Sequence, residues 1–376
     1  MKIHKLKKIL KFIALGDIHF GNPSNKTSYI IESFRLFFLK YKDILKKLDY
    51  IFINGDLLDR ILLANSNEYN LIVLWLIDLS NFCKKNNIKL RLLEGTPSHD
   101  NEQGKTMYEA IMRLNKDLNF KYIKDIEIEY DNEFDMNILY VPDKNDKPAL
   151  DRYKDIKKLM KEKNLEKIDF AMMHGNFKYQ LPITSIHAHT EEDFLNIVRY
   201  YICINHIHTP SVYGRILAPG SFDRMVHGEE EDKGVIYVEV ENENKMMFNF
   251  LKNENARIQK TFYITEKDPE KALTKLHKEL SKLPYTAFVR LITKFKLNIS
   301  KNIKEIYNFY SVKEEVKGDV NINTSNIFKI ENNIEELNIT PSNIYDLLKN
   351  EIMDLKENDI LFLNNTIKEI NNKWKL

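Results

Sequence analysis

Phe12-Ile13-Ala14-Leu15-Gly16-Asp17-Ile18-His19 is an aliphatic run of strand length that ends on a glycine, followed by a carboxylate and an imidazole two residues apart. The run reads as a buried strand, and Asp17 and His19 can both turn toward one ion as that strand ends. The same punctuation recurs downstream. YIFIN (50–54) runs into Gly55-Asp56-Leu57-Leu58-Asp59, and IKLRLLEG (88–95) runs into Thr96-Pro97-Ser98-His99-Asp100. FAMM (170–173) ends at His174-Gly175, and YYICI (200–204) ends at Asn205-His206-Ile207-His208. Helical periods lie between these strands: Ile30, Phe34, Phe37, Tyr41, Ile44 and Leu48 recur at three-or-four spacing, a second helix is expected from Glu68 to Cys83, and others near 148–164 and 191–198. Further strands are expected at MNILYVP (136–142) and GVIYVEV (234–240). Strands alternating with helices predict an α/β layered domain, in which strand ends gather on one side.

That gathering gives the polar clusters their meaning. A D-x-H triplet alone is a turn Asp beside a surface His as readily as a ligand pair, and a lone His after a strand is usually structural. Five such clusters, each at the C-terminal end of an expected strand, point to one site. Asp17, Asp56, His19, His174, His206 and His208 form a mixed oxygen and nitrogen set, which suits Mn²⁺, Fe²⁺ or Zn²⁺ better than Ca²⁺. Asp56, after a glycine that allows a tight turn, is placed to bridge two ions. Two ions sharing a carboxylate sit about 3.5–4 Å apart, clamp a phosphoryl group and lower the pKa of a water between them, the arrangement for phosphoester hydrolysis. In the third cluster His99 adjoins Asp100, a pairing that can orient an imidazole and hold it protonated.

The bulk properties agree with an intracellular globular enzyme. At 376 residues and 43% hydrophobic content the chain can bury a sizeable core, with two or three structural units expected. Lys plus Arg (57) nearly balances Asp plus Glu (55), so a polyanion must be met by a local patch rather than an overall basic field. Cys83 and Cys203 sit in apolar sequence without a second Cys at ligand spacing, and read as reduced core residues of a cytoplasmic protein. The apolar stretch after Lys2, Lys5, Lys7 and Lys8 is too short for a signal peptide. LIVLWLI (71–77) is far short of the roughly 18 residues needed to cross a bilayer, so no membrane association is expected.

After about residue 255 the pattern changes. TFYIT reads as a strand, Asp268-Pro269-Glu270 as a helix start, Leu273, Leu276, Leu280 and Leu283 as one helix face, and TAFVRLIT as another strand. Thr340-Pro341-Ser342 opens a helix with Ile344, Leu348, Ile352 and Leu355 on one stripe; Leu363, Ile367, Ile370 and Trp374 mark a second. A terminal amphipathic pair of this kind suits a partner interface.

The five motifs, in this order, resemble those of the calcineurin-like metallophosphoesterases: D-x-H, G-D-x-x-D, G-N-H-D, an isolated His and G-H-x-H. The resemblance implies a four-layer α/β/β/α domain in which Asp17, His19, Asp56 and His208 hold one ion, while Asp56, His174 and His206 contribute to the other. It implies that His99 contacts the phosphate and protonates the leaving oxygen, with Asp100 orienting it. Asn205 replaces a Gly of the last motif, a change expected to matter little. The departure of consequence is at G-N-H-D, stretched here to GTPSHD, where Ser98 takes the place of the family's metal-binding Asn. A hydroxyl ligates more weakly than an amide carbonyl.

Within that superfamily, Ala218-Pro219-Gly220-Ser221-Phe222-Asp223-Arg224, then Gly228-Glu229 and Lys233-Gly234, looks like the P-G-S-x-x-R…E…K-G segment of the SbcD-type DNA repair nucleases. This implies substrate contacts from Gly220, Ser221 and Arg224, with His227 lining the groove. It implies a nuclease domain over 1–250, a small α+β capping, DNA-contacting module over 257–330, and a helical pair over 338–376 that grips an SbcC-type coiled-coil ATPase. The expected activity is that of a two-metal, Mn²⁺-dependent DNA exonuclease, with endonuclease activity left open, working as a homodimer in repair, recombination or replication. A small-molecule phosphodiesterase or phosphatase, or a regulatory scaffold weakened through Ser98, would share most of these residues. His187 and His189 have metal-like spacing but fall in a loop between the fourth and fifth motifs, and read as structural or substrate-edge residues.

Overall fold

The computed structural model describes residues 4–293, apart from 145–146, 184, 266 and 285–286, together with 303 and 311–316. In chain order these form β1 (Lys5–Leu15), α1 (Thr27–Lys40), α2 (Lys42–Leu45), β2 (Tyr50–Asn54), α3 (Asn67–Lys85), β3 (Lys89–Leu93), α4 (Gln103–Leu114) and β4 (Phe120–Ile123). There follow β5 (Glu127–Asp131), β6 (Met136–Val141), α5 (Ala149–Glu162), β7 (Phe170–His174), α6 (Glu191–Ile197), β8 (Ile202–Asn205), β9 (Ser211–Tyr213) and β10 (Ile216–Ala218). Then come β11 (Gly234–Asn242), β12 (Lys245–Lys252), β13 (Gln259–Ile264), α7 (Pro269–Leu280), β14 (Phe288–Thr293) and β15 (Ser311–Val316).

Two six-stranded sheets carry the fold, in the orders β12-β11-β1-β2-β3-β4 and β5-β6-β7-β8-β10-β9. Strands β1 to β4 are parallel, as are β6, β7, β8 and β10, so the motif-bearing ends of each sheet lie together. Alternation along the strands explains the layers. Phe12, Ala14, Tyr50 and Phe52 point between the sheets, where they meet Phe170, Met172 and Cys203. Their neighbours Ile13, Leu15, Ile51 and Ile53 face α1, α3 and α4 through Phe34, Trp75 and Met107. On the far side, Ala171, Met173, Ile202 and Ile204 pack under α5 and α6 through Ile156 and Phe194. The result is a four-layer α/β/β/α arrangement, each face of both sheets being covered. Both cysteines are buried and unpaired.

β1 is longer than the expected FIALG: the Lys-rich stretch continues the strand, burying Leu6 and Leu10 while its lysines face outward, with a register shift between Lys5 and Leu10. After β12 the chain builds a parallel three-stranded sheet, β13-β14-β15, against which α7 packs Ala272, Leu276 and Leu280. Asp268 caps α7 by accepting from the Glu270 and Lys271 N–H groups, as its sequence suggested. The expected helical pair at 338–376 lies outside the described residues. No helix among those described is long and apolar enough to cross a membrane.

Charged pairs cross the gap between the sheets, Lys89 with Asp131 among them. Arg91 on β3 donates through Nε (3.0 Å) and Nη2 (2.7 Å) to Glu129 on β5, and Tyr140 donates to the same carboxylate at 3.0 Å. Burial pushes Glu129 up, but the Arg91 guanidinium overrides it and holds the carboxyl below its ordinary range. Arg91→Met strands that carboxylate and should cost about 3–5 kcal/mol in denaturant unfolding. A carboxyl depressed on folding contributes stability above its unfolded pKa and loses it as the pH falls. The stability gap between wild type and Glu129→Gln should therefore narrow below about pH 4.

Candidate metal centre

The turns that end β1, β2 and β8 are left-handed at non-glycine residues: φ is 47° at Asp17, 53° at His19, 48° at Asp56 and 134° at His206. Each such residue costs on the order of 1–3 kcal/mol, a strain that persists where surrounding contacts over-determine it. Here they do. Ile18 and His19 donate backbone N–H groups to the Asp56 carbonyl at 2.9 and 3.1 Å, and Asp17 donates to the Gly55 carbonyl at 3.1 Å. Gly175 N–H donates to the Asn205 carbonyl at 2.9 Å, joining the fourth loop to the fifth. Gly95 lies so close to the Asp56 turn that a Cβ there would stand 2.0 Å from the Asp56 nitrogen.

The side chains converge in three overlapping groups whose potential ligand atoms lie within 4.8 Å of one another: Asp17, His19 and His208; His19, Asp56 and His99; Asp56, His174 and His206. His19 Nε2 faces His208 Nε2 at 3.0 Å and Asp56 Oδ2 at 3.8 Å. On the other side of Asp56, His174 Nε2 lies 3.2 Å from Oδ1. Two of the outward ring nitrogens are fixed: His174 Nδ1 on the Asn54 carbonyl at 2.6 Å and His208 Nδ1 on Glu229 Oε1 at 2.8 Å. The inward nitrogens are thereby aimed at the centre, the arrangement metal-ligating imidazoles require.

These residues fit divalent metal. Two nitrogens bound to one ion at about 2.1 Å each lie about 3 Å apart when the bonds meet near a right angle, matching the His19–His208 separation. Asp17 Oδ1 is buried with no hydrogen-bond partner, while its Oδ2 accepts from the Asn205 amide at 3.2 Å and the His206 N–H at 3.0 Å. Burial pushes His174 down, but the Asp56 charge outweighs it and lifts the ring to about 10. Burial likewise pushes Asp56 up, and the His174 charge pulls it below the usual carboxylate range. A proton on His174 offsets the Asp56 charge, a role that a bound cation would also fill.

Several expected roles move. Ser98 is exposed, and the hydroxyl that enters the centre is that of Thr96. Thr96 Oγ1 lies 3.2 Å from Asp56 Oδ2, 3.3 Å from His174 Nε2 and 3.4 Å from His206 Nδ1, and its N–H donates to Asp56 Oδ1 at 2.6 Å. Anchoring the stretched motif on Gly95 rather than on His99 would have found it. Asp100 does not orient His99. The turn from Thr96 folds its carboxylate back to accept the N–H groups of Leu58 (2.9 Å) and Gly95 (2.8 Å), tying the second and third loops together. His99 is fixed instead through Nδ1 on the Asp59 carbonyl at 2.6 Å, its ring 5.0 Å from that of His19.

Asn205, expected to matter little, holds Asp17 and also donates to the Gly220 carbonyl at 3.0 Å. The segment read as substrate-binding is a brace. Gly220 and Ser221 are buried, Ser221 N–H donating to the His208 carbonyl at 3.2 Å. Arg224 donates to the carbonyls of Ala256 (3.1 Å) and Glu231 (3.0 Å), and His227 packs on Phe288 with ring centroids 4.7 Å apart. His189 is buried between Phe177 and Phe194, pushed down to about 3 by burial, and His187 lies 3.3 Å from the Lys147 carbonyl; neither belongs to the three groups.

Fold and site together define an α/β protein with a buried His/Asp centre able to hold divalent metal. No family model matches the chain, and no curated protein matches it. Among solved structures it is similar to TT1561 of Thermus thermophilus, at 9% identity and a TM-score of 0.37, over 65% of this chain and all of that one. A second solved structure matches over the same shares at 10% identity and a TM-score of 0.37. Likeness at this level leaves the functional reading to the chain's own residues.

Thr96→Val should weaken divalent-metal binding about 10- to 100-fold by calorimetric titration, whereas Ser98→Ala should leave the isotherm unchanged. Because metal displaces the His174 proton, apparent affinity should rise with pH up to about 10, and binding heats should differ between buffers of unequal ionisation enthalpy.

Proposed function

We propose that this chain is a two-metal phosphodiesterase acting on DNA, the Mn²⁺-dependent nuclease partner of an SbcC-like ATPase. The observation that carries the hydrolase reading is that Asp56 belongs to two groups of potential ligands, one with His19 and His99 and the other with His174 and His206. Bound ions would supply the Lewis acid that polarises a phosphoryl oxygen and activates water. Asp17, His19 and His208 would hold one ion, and His174, His206 and the Thr96 hydroxyl the other, with Asp56 common to both.

The chain's own contribution to the chemistry is at His99. Its Nδ1–H is engaged by the Asp59 carbonyl, so Nε2 is the atom that can deliver a proton to a leaving oxygen. The half-buried ring stands at the edge of the centre, against His19, where a leaving group has access. DNA as the substrate, the ATPase and a homodimeric assembly rest on the resemblance of 218–234 to the SbcD-type segment and on the module that follows β12. Those features also favour a nuclease over a small-molecule phosphatase, which has no use for such a module.

End-labelled linear double-stranded DNA should release nucleotides with Mn²⁺ in the presence of the ATPase and ATP. His99→Ala should cut that rate roughly 10²- to 10⁴-fold while leaving metal content unchanged. Intact DNA beside turnover of a small phosphodiester would reassign the substrate. Inactivity on both would leave a regulatory scaffold, and loss of metal from the variant would overturn the role given to His99.

A further inference from the structure

His208 is gripped at both its ring and its backbone, and the grip comes from a segment that the proposed chemistry does not use. Its Nδ1–H donates to Glu229 Oε1 at 2.8 Å, leaving Nε2 toward His19. Glu229 Oε2 accepts from Lys233 Nζ at 2.9 Å and from the Met225 N–H at 3.1 Å. The Lys233 side chain is 0% exposed, and its ammonium also donates to the His208 carbonyl at 3.0 Å. A lysine buried this completely is tolerated only when paired, and both of these contacts return to His208 or to the carboxylate that holds it. Lys233 is itself fixed just ahead of β11, its carbonyl accepting the Asn253 N–H at 2.6 Å. Gly220 completes the seat: a Cβ there would stand 2.4 Å from the His208 oxygen.

We infer that Glu229 and Lys233 are positioning residues that set the tautomer and basicity of His208 as a metal ligand, and that they act on the Asp17/His19/His208 group alone. The inference rests on the metal reading above. The other group has a neutral counterpart, the Asn54 carbonyl on His174 Nδ1, so an anionic partner distinguishes the two. An imidazole whose far N–H meets a carboxylate is a stronger donor than one meeting a carbonyl.

The consequence of Glu229→Gln follows from the donors around it. Lys233 and the Met225 N–H require an oxygen, which turns the amide NH₂ toward His208 Nδ1. That nitrogen must then accept, and its proton moves to Nε2, the atom that faces the centre. The test is Mn²⁺ titration of the full-length wild type, Glu229→Gln and Lys233→Met, with two-bond ¹H–¹⁵N spectra of the metal-free proteins to read the His208 tautomer. The expected result is a selective 10- to 100-fold weakening of one metal equivalent in both variants, restored by excess Mn²⁺, with Nδ1–H replaced by Nε2–H in Glu229→Gln. Wild-type titration and tautomer in Glu229→Gln would overturn the inference, and that variant decides alone if Lys233→Met does not fold. Absence of metal uptake by the wild type would instead remove the metal reading itself, and this inference with it.

Discussion

A carboxylate buried to 2% exposure cannot remain charged unless its surroundings replace the water it has lost, and Asp56 is such a group. Its compensation arrives from three directions. The loop after β3 brings the Thr96 N–H and hydroxyl, β7 brings His174, and the turn after β1 brings His19. None of these is near Asp56 in sequence. They meet because parallel strands in two facing sheets deliver their C-terminal ends to the same place, and because those ends turn through left-handed residues stitched by backbone hydrogen bonds. The centre is thus a condition on the fold: displacing any one loop removes part of the compensation of a buried charge.

The strands most legible in the sequence were those buried along their whole length. β2, β7 and β8 read as continuous apolar runs, and the polar clusters at their ends stood out against them. β5 did not read as a strand because Glu127-Ile128-Glu129-Tyr130-Asp131 is mostly charged. Its carboxylates Glu129 and Asp131 are consumed by Arg91 and Lys89 across the sheet gap, partners about forty residues away. β12 is an edge strand with Lys and Asn on its exposed face, and β9 and β10 are three residues each, too short for a period to show. α4 begins after a left-handed Glu102, without the Ser, Thr or Asp that announces most helix starts.

In the centre, residue types were easier to read than residue roles. Asp17, His19, Asp56, His174, His206 and His208 could be gathered by asking which polar groups follow strands. Which of Thr96 and Ser98 faces the centre depended on how a two-residue expansion is absorbed. The turn absorbs it after Thr96, placing Pro97 and Ser98 outside. Asn205 was misjudged for a related reason: its partners, Asp17 and the Gly220 carbonyl, are set by tertiary pairing and leave no mark on the local motif.

The segment from Ala218 to Gly234 shows why charge in a sequence is not yet charge available to a ligand. Arg224 reads as a substrate contact through the resemblance of its segment, which also carries Lys233. In three dimensions both cations are engaged by carbonyls, and Lys233 also by Glu229. The same short stretch seats the following module: Gln259 donates to the Arg224 carbonyl at 3.0 Å, the Arg257 N–H donates to Asp223 Oδ1 at 2.6 Å, and His227 lies on Phe288. One backbone segment therefore fixes the His208 imidazole at one edge and carries the β13–β14 sheet at the other. Placing a buried ion pair there, rather than a flexible polar loop, makes the geometry at His208 insensitive to solvent and dependent on the seat. The cost is a fully buried ammonium, which depends on Glu229 and the His208 carbonyl, with Glu231 Oε2 3.8 Å away, staying where they are.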